Sequence, residues 1–589
     1  MRSRRSLTCA VMIVLLAGGL VFAQSLEDNW GAFLHYTVIG RIDLAKGFGE
    51  KIIAESPEPT AVLDLSEANP DGYRLLLKMH TDSEELREVS GQVLDLIEKG
   101  RFIRRTDPKI INQEIQRLST TIRGRIAAEE RLRNAGEYAI PYMLAALADE
   151  ARKNEFAYIT DALPKVGRGA VRPLTAALQM DNAVVKSEVI RALGKIGTME
   201  PLPYLKYVIE KDASETCRAL AVSAIEQIDS GALKIPAAEL FFLLGEAYYD
   251  RHDVLAPPSE YDFANVWFWE ADKKALVRQE VSKAYFNELM AMRSSEWAVK
   301  ADAGIGKAIG LWIASFFRAE SAAIEMPEYF GQGHADARTY ATTAGPEYLH
   351  QALERAIKDN DAYVALGVVE ALAVNAGEKS LLYRVGTSQP LADALSFSDR
   401  KVRYSAAIAF AEAGPVTEFV GSELIVGHLA AALVEEGADE VGADLAQRYA
   451  ERAVQAIYKL ALSRNKIVNL SQAQSALVAV TENSRPDMKI AAGQALAYLS
   501  SPEAQRAIAQ MAMNEQNDKT VRLSAFGSLA LSAKLNASLL LSEQVDALYG
   551  LVSSTEADPD LRAGAAGAFG ALNLPSERVK TLILDQSKS

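Results

Sequence analysis

The sequence is poor in the side chains from which metal centres and disulfides are built. It has two cysteines, Cys9 and Cys217, and six histidines that are scattered singly along 589 residues. The histidines form no His-x-x-x-His or His-Glu-x-x-His pair, and one chain with so few cysteines lacks the thiolates of a zinc site. We therefore expect no metal and no cofactor. Cys217 lies at an apolar position of a repeat, so we expect it to be buried and unreactive.

The sequence also has fewer basic than acidic residues. Lysine and arginine number 63 against 77 aspartates and glutamates, which gives a formal net charge of −14. Nucleic-acid-binding proteins usually carry a basic surface, so we expect no nucleic-acid partner. Residues 99–133 are locally basic, but charge runs of this kind are usually solvated helix faces.

Long apolar runs are confined to the N-terminus. Residues 1–5 are basic, residues 7–22 are mostly apolar, and Val21 and Ala23 place small side chains before the bond that follows Ala23. This is the pattern of a secretory signal peptide, so we predict that residues 1–23 are removed on export to a periplasmic or extracellular space. Cys9 leaves with this leader, which excludes an intramolecular disulfide. No later segment is predicted to span a membrane.

Recognisable catalytic motifs are lacking as well. Residues 304–310 resemble a phosphate-binding loop, but no serine or threonine follows Lys307 and the flanking pattern is helical. His334-Ala-Asp336 is the most chemically suggestive triplet, and a capping role is favoured for it. No Gly-x-Ser-x-Gly elbow occurs. The sequence therefore predicts a protein without enzymatic activity.

What the sequence does contain is a repeated helical unit. Five small or apolar residues at i, i+4, i+7, i+8 and i+11 occur twice, 32 positions apart: Val185, Val189, Ala192, Leu193 and Ile196, then Cys217, Ala221, Ala224, Ile225 and Ile228. This spacing places each set on one stripe of a helix. Asp181 is the expected N-cap of the first helix, and Gly197 is expected to end it in a left-handed conformation. A repeat of about this length predicts a solenoid.

The same stripe returns six times in the C-terminal half. Its copies begin at Val364, Val402, Ala446, Met488, Val521 and Leu561. In three of them an aspartate precedes an arginine by four positions: Asp399 and Arg403, Asp518 and Arg522, and Asp558 and Arg562.

These aspartate–arginine units with alanine-rich helices resemble the HEAT-repeat family, an armadillo-type fold, including its bacterial variants described from phycobilin lyases. The resemblance covers roughly residues 120–230 and 346–580. It implies an all-α protein, an α-solenoid of stacked antiparallel helix pairs whose second helices line a concave face. It also implies that the three aspartate–arginine pairs form structural ladders. Residues 28–60, with Tyr36, Ala45 and Pro57, resemble one tetratricopeptide unit.

The middle of the chain has a different composition. Four of the five tryptophans and many other aromatics lie between residues 236 and 345, where the stripe is missing. A thick helical core is the simpler interpretation, because large aromatics mostly pack inside. The alternative is a binding surface, and Trp267 and Trp269 are then the candidate contacts, since two residues apart on a helix they point to different sides.

The sequence thus predicts five segments: a signal peptide (1–23), N-terminal helical hairpins (24–120), HEAT-like repeats (121–232), an aromatic-rich helical middle region (233–345) and a second repeat array (346–589). Such an array offers an extended surface for another protein. We therefore expect an exported, non-catalytic scaffold with a protein partner. The alternative is an enzyme, or a binder of a chromophore or sugar, with its site in residues 236–345.

Overall fold

The computed structural model describes residues 25–258, 261–322, 334–375, 377–438, 440–482 and 485–575, with 577, 580, 583 and 584. The predicted signal peptide lies outside these residues. Within them, no helix is long and apolar enough to cross a membrane.

The prediction of an all-α solenoid is confirmed, because nearly all regular structure in the described residues is helical and the helices pack as successive pairs. The helices up to residue 321 are α1 (Leu26–Val38), α2 (Ile42–Ala54), α3 (Pro59–Ala68), α4 (Pro70–Asp82), α5 (Arg87–Thr106), α6 (Pro108–Arg117), α7 (Ile122–Ala135), α8 (Ile140–Ala148), α9 (Phe156–Ala162), α10 (Val171–Ala177), α11 (Ala183–Ile196), α12 (Leu202–Lys211), α13 (Glu215–Asp229), α14 (Ala237–Tyr249), α15 (Phe286–Ala301) and α16 (Gly306–Ser321).

The later helices are α17 (Ala337–Thr343), α18 (Pro346–Lys358), α19 (Ala362–Asn375), α20 (Glu378–Leu381), α21 (Pro390–Ala394), α22 (Arg400–Ala413), α23 (Ile425–Leu433), α24 (Glu440–Leu462), α25 (Gln474–Thr481), α26 (Pro486–Leu496), α27 (Pro502–Met513), α28 (Lys519–Asn536), α29 (Ser542–Ser553) and α30 (Pro559–Ala571). Two strands, β1 (Phe263–Glu270) and β2 (Ala275–Ser282), form a two-stranded sheet. Short 3-10 helices span Gly136–Ala139, Glu150–Glu155, Leu163–Ala170, Ser230–Lys234, Asp253–Leu255, Lys283–Tyr285, Ser422–Leu424 and Leu470–Ala473.

The chain divides into two compact units. The first contains the described residues up to 201, with 214–228 and 267–277, and the second contains 202–213, 229–266 and those from 278 onward.

In the first unit, helices α1–α5 enclose a core that includes the fully buried Phe33, Val62 and Leu76. Farther along, the two predicted stripe helices are α11 and α13. Gly197 ends α11 with φ 74°, as expected, but Asn182 rather than Asp181 is its N-cap and accepts the N–H groups of Val184 and Val185 at 3.1 and 3.2 Å. The cap was therefore misplaced by one residue.

In the second unit, the stripe helices α19, α22, α24, α26, α28 and α30 contact one another in that order, and their partner helices lie in a second row. The stripe of α22 explains the packing. Val402, Ala406 and Phe410 are each at most 2% exposed, because residues four apart lie on the same side of a helix. Mostly small stripe residues let neighbouring helices approach closely, which makes a continuous core along the array.

The middle region departs from the predicted helices. Helices α14, α15 and α16 are present, but residues 263–282 form a hairpin with its turn at Ala271–Lys274, where the Lys274 N–H donates to the Ala271 carbonyl at 3.2 Å. The segment is rich in aromatic and β-branched residues, which favour strands. Trp267 and Trp269 therefore lie on the same face of β1, and the expectation that they point to different sides of a helix is wrong.

Candidate functional site

The main candidate site is a groove in the second unit, with a cavity volume of about 460 Å³. We call it the α19–α24 groove. Two helices contribute four residues each, namely Tyr363, Leu366, Gly367 and Glu370 on α19, and Leu445, Arg448, Tyr449 and Arg452 on α24. The remaining lining residues are Phe317 and Glu320 on α16, Asp336, and Arg338 on α17.

The two helices present equivalent positions of their repeats to this groove. On each, the lining residues fall at i, i+3, i+4 and i+7, which is one helical face. They lie one position before and two, three and six positions after the first stripe residue, Val364 on α19 and Ala446 on α24. Ser405 on the intervening helix α22 occupies the third position after Val402. The groove is therefore built from the side of the stripe helices that lies next to the buried stripe.

A polar network joins the three helices at the groove. Glu370 Oε1 accepts hydrogen bonds from Ser405 Oγ and from Arg452 Nη1, both at 2.8 Å, and Glu370 Oε2 lies 3.5 Å from Arg338 Nη2. The Tyr449 hydroxyl lies 3.2 Å from Ser405 Oγ. Burial raises the pKa of Tyr449. Hydrogen bonds to a charged carboxylate are stronger than neutral ones, so this network fixes the side chains at the base of the groove.

The apolar floor depends on a close approach between α16 and α19. A Cβ atom on Gly367 would lie 2.3 Å from Cε1 of Phe317, a distance that real Cβ contacts do not show. Glycine at this position therefore lets the Phe317 ring approach α19 closely, and Phe317 is only 3% exposed.

The rim of the groove is more open than its base. Tyr363 is 49% exposed, and the side chains of Arg338 and Arg448 are 58% and 63% exposed. Partial burial raises the pKa of Tyr363, and the nearby carboxylates of Glu320 and Asp336 act in the same direction. Burial likewise raises the pKa of Glu320. Exposed aromatic and arginine side chains beside an apolar floor are typical of binding surfaces.

The two tryptophans predicted as contacts lie elsewhere, on β1. Trp267 is 5% exposed, and its indole N–H donates to Glu137 Oε2 at 2.7 Å, so it is a packing group of the first unit. Trp269 is half-buried. Trp267 is thus unsuited to contact a partner, whereas a contact role for Trp269 stays a prediction.

The predicted ladder residues hold helix starts and loops. Arg403 donates to the carbonyls of Phe397 and Ser398 at 2.6 and 2.8 Å, while Asp399 Oδ1 accepts the Lys401 N–H at 2.7 Å. Among these described residues, arginine and aspartate of one copy do not pair directly, so the pairing that the resemblance implies is wrong.

The other two copies follow the same pattern. Arg522 donates to the Ala512 carbonyl at 3.0 Å, and Arg562 donates to the Ser554 carbonyl at 3.2 Å. The contact between repeats runs instead from Lys519 Nζ to Asp558 Oδ2 at 2.9 Å. Asp518 caps no helix with its side chain. The arginines tie each stripe helix to the chain that precedes it, because their long side chains reach carbonyls left open at helix ends.

The geometry confirms the predicted burial of Cys217, whose lack of reactivity stays a prediction, and it confirms two smaller predictions. Cys217 is fully buried, with Sγ 3.7 Å from the Ala183 carbonyl oxygen. Asp336 caps α17 by accepting the Thr339 N–H at 2.8 Å, whereas His334 is exposed. Residues 304 and 305 belong to the connection between helices α15 and α16, and residues 306–310 begin α16, so this segment is not the strand-to-helix loop that binds phosphate.

The basic stretch at 99–133 is extensively ion-paired. Arg104 pairs with Asp64 and Glu67, and Arg117 and Arg131 pair with the buried Glu114.

Among the described residues, no group of three or more histidines, cysteines, aspartates or glutamates is placed to hold a metal ion.

The comparisons with known proteins agree with the repeat architecture. Residues 140–226 match the family model of HEAT repeats. The match therefore covers one segment of the chain, and the paired helices that continue through the second unit make the chain as a whole a helical-repeat solenoid. No curated protein matches the chain.

Matches among solved structures include Kap95p with RanGDP, at 13% sequence identity and a TM-score of 0.27, and the match covers 87% of this chain and 68% of that one. Importin beta matches at 13% sequence identity with a TM-score of 0.27, and the match covers 93% of this chain and 71% of importin beta. SYS-1 matches at 10% sequence identity with a TM-score of 0.30, and the match covers 90% of this chain and 99% of SYS-1. TM-scores of this size assign neither a partner nor a function to this chain.

Proposed function

We propose that this protein is an exported, non-catalytic scaffold that binds another protein at the α19–α24 groove. The observation that carries the proposal is the repetition of one helical face. Both α19 and α24 direct the same four repeat positions to the groove, and those positions hold tyrosine, arginine and leucine above a fixed polar base. Arginine and tyrosine carry much of the binding energy in protein interfaces.

The polar base supports binding rather than reaction. Glu370 is held by Ser405 and Arg452 and has an exposed side-chain fraction of 17%. Hydrogen bonds to a charged carboxylate are stronger than neutral ones, so these contacts hold the Glu370 side chain in place. The network acts as a rigid platform that keeps the rim residues in place before a partner arrives, which reduces the entropic cost of binding.

A pull-down from envelope fractions, followed by mass spectrometry, tests the proposal. We expect the intact mature chain to retain a defined protein that the Arg448→Glu variant loses. The matched control is Arg74→Glu in the first unit. Both arginines are exposed, and each pairs with an aspartate one helical turn away, Asp444 at 3.0 Å and Asp71 at 2.8 Å. Loss of the partner from both variants, or from neither, would contradict the proposal.

A small-ligand site or an enzyme is the second candidate, supported by one observation. Phe317 and Glu320 belong to the middle region, and they line a cavity whose volume of about 460 Å³ falls within the roughly 300–1,000 Å³ of small-ligand sites. Native mass spectrometry of the protein purified from its source separates the two. A bound small molecule that Leu366→Trp displaces would favour this candidate.

The export that we propose rests on the N-terminal sequence alone. It is supported by the basic start, the apolar stretch and the small residues before the bond after Ala23. N-terminal sequencing of the protein from an envelope fraction should begin at Gln24. A cytoplasmic protein that still begins at Met1 would contradict it.

A further inference from the structure

A short strap, residues 380–389, lies against helix α18 in the second unit. It starts at the end of α20, turns where Val385 and Ser388 exchange backbone hydrogen bonds at 3.2 and 3.0 Å, and leads into α21. The α18 residues that contact it fall at i, i+3 and i+7, which is one helical face. They are Glu347, His350 and Glu354.

Few contacts hold the strap in place. Glu354 Oε1 accepts from Ser388 Oγ at 3.2 Å, and Glu347 is hydrogen-bonded to the Tyr383 side chain. Leu381 is buried, whereas three residues at the turn are exposed, namely Arg384, Gly386 and Thr387. Segments with few buried apolar groups are the ones that open while the rest of a protein stays folded.

The central contact of the strap is with His350. Nε2 of this residue donates to the Ser380 carbonyl at 2.8 Å. The Tyr383 ring lies on the imidazole, with 5.7 Å between the ring centroids and 30° between the planes. His350 is fully buried, and the strap supplies both the hydrogen-bond acceptor and the stacked ring.

The closed strap has no place for a second proton on this ring. A carbonyl oxygen only accepts, so Nε2 carries the proton of the neutral imidazole and Nδ1 does not. Nδ1 is buried without a hydrogen-bond partner. Protonation would therefore bury a charge and an unsatisfied N–H, which is costly. For this reason burial lowers the pKa of His350, although the bond to Ser380 acts in the opposite direction.

The charges around the ring lie on α18 and on the strap. Helices α16, α19 and α21 also pack against α18, but no charged side chain among their described residues shifts the pKa of His350. The ionisable groups that face the strap contact are thus Tyr383, Glu347 and Glu354. Histidine is the side-chain type that changes charge just below neutral pH, so His350 is the group that responds first to mild acid.

We propose that the strap is an acid-operated cover, in which protonation of His350 releases residues 380–389 from α18 while the stripe core of the second unit stays folded. Release gives both ring nitrogens access to water and exposes the α18 face that carries Glu347, His350 and Glu354. No covalent bond changes, so return to neutral pH closes the strap again. This inference does not depend on the proposed binding site.

The direction of the response follows from proton binding. An exposed imidazole takes up its proton with a pKa of about 6.5, whereas the buried ring does so only at lower pH. The open form therefore binds more protons than the closed form, and its population rises by about tenfold for each pH unit below this value until the buried ring is protonated too.

Hydrogen exchange of the intact mature chain, read by mass spectrometry, tests the inference. The wild type is compared with His350→Gln at the same pH, so the intrinsic exchange rates cancel. Glutamine can donate to the Ser380 carbonyl but takes up no proton. The N–H groups of Tyr383, Val385 and Ser388 are bonded within the strap and report its release, because so short a segment is not stable alone.

Two further variants are controls. His428→Gln replaces a half-buried histidine that also donates to a carbonyl, that of Leu395 at 2.7 Å. Glu354→Gln removes a carboxylate that contacts the strap but keeps an acceptor for Ser388. Both variants should retain the acid response of the strap.

We expect exchange in residues 380–389 to rise between pH 6.5 and 4.5 by at least about tenfold more in the wild type than in His350→Gln. Exchange in α22 and α26 should not rise with it. Equal responses in the two proteins, or loss of the response in Glu354→Gln, would overturn the inference. So would exchange of α22 and α26 in step with the strap, a result that decides the matter even if His350→Gln does not fold.

Discussion

Glu370 on α19 and Arg452 on α24 lie 82 positions apart in the sequence, and the guanidinium donates to the carboxylate at 2.8 Å. Each residue is the sixth after the first stripe residue of its helix, Val364 or Ala446. The pair therefore joins equivalent positions of two repeats across the intervening helix α22. Ser405 on α22 donates to the same carboxylate oxygen, so three stripe helices share one acceptor.

Replacing Glu370 by glutamine should destabilise the second unit by about 1–3 kcal/mol, because Arg452 loses a charged partner in a partly buried place. Urea unfolding measures the change. Asp444→Asn is the control, since Asp444 and its partner Arg448 are both more than 60% exposed, and we expect a change within about 0.5 kcal/mol. Equal changes in the two variants would show that the Glu370 network adds no stability.

Gly367→Ala should also destabilise the second unit, because the new methyl group would meet the Phe317 ring at 2.3 Å. Overpacking of this kind costs about 1–3 kcal/mol. Gly527→Ala on α28 is the control, and its expected effect on stability is the opposite. Nothing lies within 4 Å of its added Cβ, so the higher helix propensity of alanine should stabilise by about 0.5–1 kcal/mol. A stabilising Gly367→Ala would contradict the close approach of α16 and α19.

His350 predicts acid sensitivity of the second unit. Its ring is fully buried, Nε2 donates to the Ser380 carbonyl at 2.8 Å, and burial lowers its pKa from 6.5 to about 4. The unfolded chain then binds more protons than the folded one between these two values. The stabilising contribution is therefore complete above pH 6.5 and is lost as the pH falls towards 4, by about 3 kcal/mol in all.

Unfolding of the wild type and of His350→Gln, measured at neutral pH and at about pH 4.5, isolates this effect. We expect the wild type to lose at least about 2 kcal/mol more than the variant over this interval. His428 remains in both proteins, and burial lowers its pKa in the same direction, so its contribution cancels. Parallel pH profiles for the two proteins would contradict the buried neutral state of His350.

Phe569→Ala should destabilise the last helix pair by about 3–5 kcal/mol, the usual cost of removing a buried aromatic ring. Phe569 is 7% exposed, and its ring centroid lies 5.9 Å from that of Tyr549 on the partner helix α29. Hydrogen exchange, read helix by helix, should show faster exchange in α29 and α30. Phe569→Leu should have a smaller effect, and unchanged exchange after Phe569→Ala would refute the stripe at residues 561–572.

Much of the fold could be predicted because the stripes have a strong period. The positions of Val402, Ala406 and Phe410 repeat at helical spacing, and burial of that one face is what stabilises each repeat. The hairpin at 263–282 could not be recognised in this way. Apolar residues occupy both faces of β1, as Val266 and Trp267 illustrate, so alternation is absent. Its turn also lacks the usual glycine or asparagine, and Lys274 adopts φ 48°.

The groove was missed because its residues lie off the stripe. Tyr363 and Arg448 are typical of exposed helix faces, and neither forms a motif in the sequence. The one feature of the sequence that indicates the groove is the position of its residues within the repeats. Both helices place lining residues at the same offsets from Val364 and Ala446. Comparing the non-stripe positions between repeats would have found it. The aromatic content favoured Trp267 and Trp269 as candidate contacts instead, although large aromatic side chains mostly pack in the core, as Trp267 does.

Site-specific photo-cross-linking tests the central claim, that a protein partner contacts the α19–α24 groove, most directly. A benzophenone side chain replaces Tyr363 at the groove rim or, as the control, Leu243 on α14. The two native residues are 49% and 47% exposed. After irradiation in the cells that make the protein, we expect the Tyr363 position to give one discrete protein adduct that the control position lacks. Adducts of equal yield at both positions, or none at Tyr363, would contradict the claim.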